Sequence, residues 1–190
     1  DGGADNDTLN VSNLTAAETV DLENQSSTSV AGFTSIENFT GDGASDILQA
    51  SAADDTFDIT GVDDGTVPGG VDAVFMDFSI LQGLGGNDTF NLNGGQVTGS
   101  IDGGTGTNDL NLDNVDNVVN ITDANAGNTT GADAGDTTGV AAFSNITDIT
   151  GGTEADDVTV ADVATASLSG TLDGGGGANS LTENNENSTI

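Results

Sequence analysis

Apolar residues along the chain occur in short runs that alternate with polar residues, the period of a strand with one buried face. Clear runs lie at residues 8–11, 57–59, 90–92, 110–112 and 158–160, and Gly-rich stretches separate them. Asp, Asn, Thr and Gly make up 101 of the 190 residues, and all four disfavour helix. The sequence therefore predicts an all-β protein with many short strands and almost no helix.

Two blocks of sequence recur in the same order. The block that begins Asp-Gly-Gly at residue 1 returns at residues 102 and 173, and the block at 33–41 returns at 143–151. We therefore interpret residues 1–190 as one continuous segment with internal repeats 1–101, 102–172 and a partial 173–190. The first repeat is 30 residues longer than the second, and we expect its extra residues to form an added coil within about residues 50–80. The chain opens inside a repeat, which indicates a segment of a longer protein.

Short strands joined by Gly-rich turns at recurring spacings suit a parallel β-solenoid, similar to a right-handed β-helix or β-roll. In such a fold each coil stacks on the previous one and buries its inward residues. Tandem β-sandwich domains are the alternative, but they would give repeats of uniform length. The unequal repeats favour the solenoid.

The charge of the chain excludes several classes of function. It has 32 acidic residues and no Lys, Arg or His, so its net charge of −32 has no internal counter-charge. Binding to nucleic acid needs Lys or Arg, and anionic membrane surfaces repel such a chain. No apolar run approaches the roughly 20 residues of a membrane span, so we expect no membrane insertion. Without His, Cys or Lys, catalysis would depend on carboxylates.

A nine-residue motif, Gly-Gly-x-Gly-x-Asp-x-apolar-x, lies inside the repeats. Its seven copies begin at Gly2, Gly41, Ala50, Gly83, Gly103, Gly151 and Gly174. The motif resembles the calcium-binding nonapeptide of the repeats-in-toxin (RTX) family. The larger units resemble the β-strand-repeat regions of giant bacterial extracellular surface proteins and adhesins. Most copies depart from the family pattern, and Asn108 and Asn179 stand where the family has Asp.

Stacked turns would place carboxylates close together. Neighbouring strands lie about 4.8 Å apart, so each aligned pair costs about 0.9 kcal/mol even at the dielectric constant of water. Calcium would relieve this repulsion, because it takes six to eight oxygen ligands from carboxylates and backbone carbonyls. The candidate ligands, which the RTX resemblance also implies, are Asp7, Asp46, Asp55, Asp88 and Asp156. The tandem pair Asp46 and Asp55 is the strongest candidate.

The alternative interpretation is that these side chains form Asx-turns at the corners of the fold without a metal. We prefer that interpretation for Asn108 and Asn179, because an amide offers one neutral oxygen and no charge. For the other degenerate copies the two interpretations have nearly equal support.

These features lead us to expect a non-catalytic structural segment of a large secreted or cell-surface protein. It would be a stalk, fibre or extracellular matrix element, adhesin-like and stabilised by calcium. One alternative is the subunit of a polymerising extracellular filament or surface layer, which would self-associate. A less favoured alternative is a polysaccharide-acting β-helix enzyme that uses carboxylate pairs.

Asn-x-Ser/Thr sequences offer sites for glycans on an extracellular protein. They occur at Asn6, Asn10, Asn13, Asn24, Asn38, Asn87, Asn120, Asn128, Asn145 and Asn187.

Overall fold

The computed structural model describes residues 1–43, 45–69, 72–131 and 138–184, which form nineteen strands and no helix. The predicted all-β class is therefore confirmed. Within those ranges no helix exists that could cross a membrane. The strands are β1 (Thr8–Asn10), β2 (Thr19–Asp21), β3 (Ser26–Ser27), β4 (Asn38–Thr40), β5 (Ile47–Gln49), β6 (Thr56–Ile59), β7 (Gly65–Val67), β8 (Ala73–Met76), β9 (Ile80–Gln82), β10 (Thr89–Leu92), β11 (Gln96–Asp102), β12 (Asp109–Asn111), β13 (Asn117–Asp123), β14 (Ala126–Gly131), β15 (Gly139–Ser144), β16 (Asp148–Thr150), β17 (Asp156–Val160), β18 (Leu172–Asp173) and β19 (Ser180–Glu183).

The strands form two sheets, and the chain passes repeatedly from one to the other. The nine-stranded sheet has the order β1-β4-β8-β7-β6-β10-β12-β16-β18. The ten-stranded sheet has the order β19-β17-β13-β14-β15-β11-β9-β5-β2-β3. Twelve of the seventeen pairings among the described strands are parallel. Parallel neighbours in both sheets therefore come from successive passages of the chain.

The sheets are mixed, whereas the sequence predicted parallel pairing. Strands β6, β7 and β8, which lie within residues 50–80, are antiparallel neighbours in one sheet. Strands β13, β14 and β15 repeat this arrangement in the other sheet. Asp63 and Asn125, with φ of 59° and 52°, lie in the short connections that reverse the chain. Asp and Asn tolerate this left-handed conformation, which tight hairpins need.

Each central strand of these two insertions places a glycine opposite a phenylalanine. Gly65 pairs with Phe75 and Gly127 pairs with Phe143. A Cβ atom at either glycine would lie 2.8 Å from the ring Cζ of the paired phenylalanine. The two insertions thus have the same local packing. Their sequences have in common only a Gly on the central strand and a Phe on the strand that follows.

The core consists of inward-facing side chains that align in rows across the strands. In the nine-stranded sheet one row includes Phe57, Phe90 and Leu110, all fully buried. The rings of Phe57 and Phe90 stack at 4.8 Å with an interplanar angle of 11°. In the ten-stranded sheet Leu81 and Ile101 form a corresponding row. The predicted runs of alternating residues supply these rows, so the period-2 pattern identified the core correctly.

Candidate functional site

The five predicted metal ligands lie at the ends of Gly-rich turns, where the chain enters a strand. Asp7, Asp55 and Asp88 directly precede β1, β6 and β10 of the nine-stranded sheet. Asp46 directly precedes β5, and Asp156 begins β17, both in the ten-stranded sheet. The structure therefore brings Asp55 and Asp88 together, because β6 and β10 are neighbours. The tandem pair Asp46 and Asp55 lies in front of strands of different sheets.

Side chains at these turns accept hydrogen bonds from the backbone of the neighbouring turn. The N–H of Asp55 donates to Oδ1 of Asp88 at 2.9 Å, and the N–H of Asp88 donates to Oδ1 of Asn108 at 2.9 Å. Thr147 extends the series, since its Oγ1 accepts the N–H of Asn108 at 2.8 Å. We call residues 55, 88, 108 and 147 the first corner series. Residues 88, 108 and 147 each accept a hydrogen bond from the backbone N–H of the preceding member of the series.

The same relation recurs in three other places. The N–H of Asp156 donates to Oδ1 of Asn179 at 2.9 Å, and that of Asn117 donates to Oδ1 of Asp156 at 3.1 Å. Asp46 Oδ1 accepts the N–H of Glu18 at 2.8 Å, and Glu37 Oε2 accepts the N–H of Asp7 at 3.1 Å. In every case the strand that follows in the stack supplies the side-chain oxygen.

The glycine five residues before Asp88, and the one five residues before Asp156, leave no room for a side chain. A Cβ at Gly83 would lie 2.2 Å from Oδ2 of Asp88 and 2.8 Å from the carbonyl oxygen of Gly103. A Cβ at Gly151 would lie 2.1 Å from Oδ2 of Asp156. In these two copies the Gly-x4-Asp spacing follows from close packing of the carboxyl group on the Gly Cα, whereas Asp55 has Ala50 at the same position.

The second side-chain atom distinguishes Asn from Asp in this position. Nδ2 of Asn108 donates to the carbonyl oxygen of Asn145 at 3.0 Å. Gly103 holds the position next to Asp88 that Asn145 holds next to Asn108. The backbone N–H of Gly83 donates to the carbonyl of Asp102, and the N–H of Gly103 donates to that of Ser144. Asp102 and Ser144 pair in register, so the residues that follow them, Gly103 and Asn145, are equivalent. An Asn thus satisfies the carbonyl of the next turn, but an ionised Asp cannot.

Three of the five predicted ligands keep one buried oxygen without a hydrogen bond. Oδ2 of Asp7, Asp88 and Asp156 is buried and has no partner among the described residues. Each lies beside a motif glycine, next to a backbone carbonyl oxygen of the neighbouring turn. A buried carboxylate oxygen close to a carbonyl oxygen and away from water is unfavourable unless a proton or a cation neutralises it.

The electrostatics of Asp88 agree with this geometry. The pKa of Asp88 is raised to about 6, mainly by burial; the hydrogen bond from the Asp55 backbone opposes this rise, and the charges of Asp55 and Asp54 add to it. The side chain is fully buried. This corner of the protein therefore favours neutralisation of the Asp88 carboxylate.

The remaining two predicted ligands are already satisfied by their own turns. Asp55 Oδ2 accepts from the N–H of Ser51 at 2.9 Å and from its hydroxyl at 2.7 Å. Asp46 Oδ2 accepts the N–H of Asp42 at 2.8 Å. Each of these two carboxylates accepts from the residue four positions earlier, unlike an Asx-turn, in which the N–H two residues later donates. No group of three or more acidic side chains in the described ranges is arranged to hold a metal ion.

Sequence reasoning missed two members of the site, Glu37 and Thr147. Both occupy the fifth position of the repeated block that begins at Phe33 and at Phe143, and both accept the N–H of a motif residue. The shared position was visible in the sequence, but Glu and Thr are chemically dissimilar. Only the structure shows that each supplies the same oxygen.

One open cleft contains three carboxylates. A cavity of about 500 Å³ is lined in part by Glu23, Glu37 and Asp55, with Leu22 and Val67 as apolar contacts. None of its described lining residues is aromatic. Acidic groups in a cleft are what a glycoside hydrolase needs, so the cleft is the feature on which the catalytic alternative depends.

The predicted glycan sites differ in accessibility. Asn6, Asn10, Asn13, Asn24, Asn87 and Asn145 are exposed, whereas Asn38, Asn120 and Asn128 lie within strands and are half-buried. Asn187 lies outside the described residues.

No protein-family model matches the chain, and neither curated proteins nor solved structures show a significant match. The resemblance to RTX repeats therefore stays a prediction from the motif.

Proposed function

We propose that residues 1–190 are a non-catalytic structural segment of a large secreted or cell-surface protein. The segment is a β-solenoid that serves as a stalk, fibre or extracellular matrix element, and calcium at its Gly-rich turns stabilises it. The RTX-like motif and the acidic composition suit an adhesin-like protein in a calcium-rich extracellular medium.

The strand order supports a solenoid over tandem sandwiches. Sandwiches of the immunoglobulin type are built from antiparallel strands, whereas most pairings here are parallel and join successive passages of the chain. The in-register rows of buried side chains, such as Phe57, Phe90 and Leu110, are typical of stacked coils. The two antiparallel insertions are then local additions to one coil each.

The observation that carries the calcium proposal is the buried Oδ2 of Asp88 beside the carbonyl oxygen of Gly103. Asp156 repeats it with the carbonyl of Gly174, and Asp7 with that of Ser35. A carboxylate and a backbone carbonyl are both ligands that calcium prefers. Magnesium demands stricter geometry and retains its waters, so it fits a packed corner less well.

Calcium-dependent unfolding tests this proposal. We expect calcium, compared with EDTA, to raise the Tm measured by circular dichroism, because an ion bound only to the folded state stabilises it. The Asp88→Asn variant should gain less from calcium than the wild type. Asp5→Asn is the matched control, since it removes the same charge from an exposed residue. An unchanged Tm of the wild type with calcium and with EDTA would refute the calcium proposal.

The catalytic alternative is tested separately at the cleft. If the segment hydrolysed a polysaccharide and Glu23→Gln abolished the activity, the segment would be an enzyme and the non-catalytic proposal would be wrong. We expect no hydrolysis above the level of a buffer control, because the cleft offers no aromatic platform among its described residues and the chain has no basic group to hold an acidic sugar.

A further inference from the structure

The corner between β10 and β11 contains the single Asn-Gly sequence of the chain, Asn93-Gly94. Every other Asn is followed by a residue that carries a side chain. Glycine has no Cβ, so its backbone nitrogen is the one that the amide carbon of a preceding Asn reaches with the least hindrance. Asn93 is therefore the Asn whose side chain reacts most readily with the backbone that follows it.

The two residues of this pair are exposed in the middle of the stack. Gly94 has a φ of 83°, a conformation that favours glycine. A Cβ built on Gly94 would have Oδ2 of Asp113 as its nearest atom, at 3.9 Å. On that side, then, no close packing holds the peptide unit in place.

The backbone N–H of Gly94 donates no hydrogen bond to any residue in the described ranges. The backbone on both sides of it is bonded. The N–H of Asn93 donates to the carbonyl of Ile59 at 2.8 Å, and the N–H of Gln96 donates to the carbonyl of Gly61 at 2.9 Å. The corner is thus held at its two ends, while the nitrogen of Gly94 is left without an acceptor in the part of the chain that the structure describes.

Two Asp-Gly turns of the chain differ in this respect. The N–H of Gly43 donates to the carbonyl of Asp77 at 2.8 Å, and the N–H of Gly103 donates to the carbonyl of Ser144 at 3.0 Å. In both turns the neighbouring turn of the stack engages the glycine nitrogen. An attack by that nitrogen on the preceding side chain would first have to break this hydrogen bond.

We propose that Asn93 is a site of spontaneous deamidation, with water as the co-reactant. The nitrogen of Gly94 loses its proton and attacks Cγ of Asn93. The Cγ–Nδ2 bond breaks, and Nδ2 takes up a proton and leaves as ammonia. The product is a five-membered succinimide ring. Water then cleaves one of the two ring C–N bonds: cleavage at Cγ gives Asp, and cleavage at the main-chain carbon gives isoaspartate.

The reacting amide is only weakly held in the folded protein. Nδ2 of Asn93 donates to Oδ1 of Asp58 at 3.2 Å, which is at the upper end of the usual range. The same oxygen accepts from Nδ2 of Asn91 at 2.8 Å, so Asp58 keeps a partner when Asn93 turns away.

Both products should weaken this corner. Each replaces a donor beside Asp58 by a carboxylate, in a chain that already carries a charge of −32. Isoaspartate also adds one carbon to the main chain between Asn93 and Gln96, whose N–H groups are both bonded to the β6 segment. We therefore expect the modified chain to have one more negative charge and a lower Tm.

Peptide mapping of the folded protein during incubation at neutral pH tests the site. The chain has no Lys or Arg, so a protease that cuts before Asp is suitable, and it releases the peptide 88–101. We expect this peptide to exchange an amide for a carboxyl group at Asn93. Asn91 in the same peptide should keep its amide, and it is the matched control because its Nδ2 donates to the same oxygen of Asp58.

The same digest distinguishes the two products. The protease cuts at position 93 when the product is Asp, and it does not cut when the product is isoaspartate. Formation of both products supports the succinimide ring, whereas Asp alone would overturn it, because direct hydrolysis of the amide gives only Asp. If Asn93 keeps its amide in the folded protein for as long as the chain unfolded in urea needs to convert, the proposal is also wrong.

Two variants test the role of Gly94 and the effect on stability. Gly94→Ala should slow the conversion about tenfold, because a Cβ hinders the nitrogen; an unchanged rate in the folded variant would contradict attack by that nitrogen. Asn93→Gln, whose side chain would need a larger ring, should keep its mass and its Tm during incubation, while the Tm of the wild type falls. An equal fall in both would contradict a role for Asn93. All samples contain EDTA, so the outcome is separate from the calcium dependence of Tm.

Discussion

The Asp88→Asn substitution should stabilise the metal-free protein at neutral pH. In the wild type, Oδ2 of Asp88 is buried without a hydrogen bond beside the carbonyl of Gly103. An Asn would place Nδ2–H there, as Asn108 does when it donates to Asn145 at 3.0 Å. The substitution thus replaces an unfavourable contact between two oxygens by a hydrogen bond.

The pKa of Asp88 sets the magnitude of the expected change in stability and its dependence on pH. Burial raises it from 3.8 to about 6, and a shift of about 2 units corresponds to up to about 3 kcal/mol. Because the folded-state pKa lies above the unfolded one, the folded state binds the proton more tightly. The stability that the wild type gains from protonation of Asp88 is therefore absent above about pH 6. It appears as the pH falls through 6 and is complete below 3.8.

Thermal unfolding in EDTA at a series of pH values measures the effect. Near neutral pH, Asp88→Asn should raise the Tm by up to about 6–12 °C, since 1 kcal/mol corresponds to roughly 2–4 °C in a protein of this size. The difference should vanish near pH 4. Asp5→Asn, an exposed control, should differ little from the wild type throughout. A variant that is less stable than the wild type at neutral pH, or a difference independent of pH, would refute the reasoning.

Three further substitutions test the packing of the corners and the core. Asn108→Asp should cost about 3 kcal/mol at neutral pH and recover in acid, because it loses the hydrogen bond to Asn145 and buries a charge; denaturant unfolding at both pH values checks this. Gly83→Ala should cost about 1–3 kcal/mol, because its Cβ would overlap Oδ2 of Asp88, whereas Gly32→Ala, whose nearest atom is 3.9 Å away, should change stability by about 0.5 kcal/mol or less. Phe90→Ala should cost about 3–5 kcal/mol by the same assay, since Phe90 is fully buried and stacks on Phe57.

The sequence predicted the strands because their burial is regular. Alternating runs such as 90–92 and 110–112 become the buried rows of the core, and Gly-rich stretches become turns. The hairpin insertions were not predictable in the same way. Strand β7 is only three residues long, and what makes it fit is the contact of Gly65 with Phe75, ten residues later in the chain. Nothing in the local pattern distinguishes that pairing from a parallel one.

The candidate site was predicted in part for a similar reason. The spacing of Gly and Asp located the corners and named Asp7, Asp88 and Asp156, which retain an unpaired oxygen. It could not separate them from Asp46 and Asp55, whose second oxygens are satisfied by Asp42 and Ser51. Motif spacing defines which residues end a turn, but the sheet that each turn leads into decides which carboxylates meet.

The most direct test of calcium stabilisation compares the wild type with Asp88→Asn in EDTA and in excess calcium. In EDTA the Asn variant should have the higher Tm at neutral pH, because the wild type buries an uncompensated oxygen. At a calcium concentration about tenfold above the Kd, binding contributes about 1.4 kcal/mol per site to the wild type, and the variant lacks the ligand at this corner. Calcium should therefore reduce the difference between the two Tm values or reverse their order. If the Asn variant keeps the higher Tm by the same margin in calcium as in EDTA, calcium does not bind at Asp88.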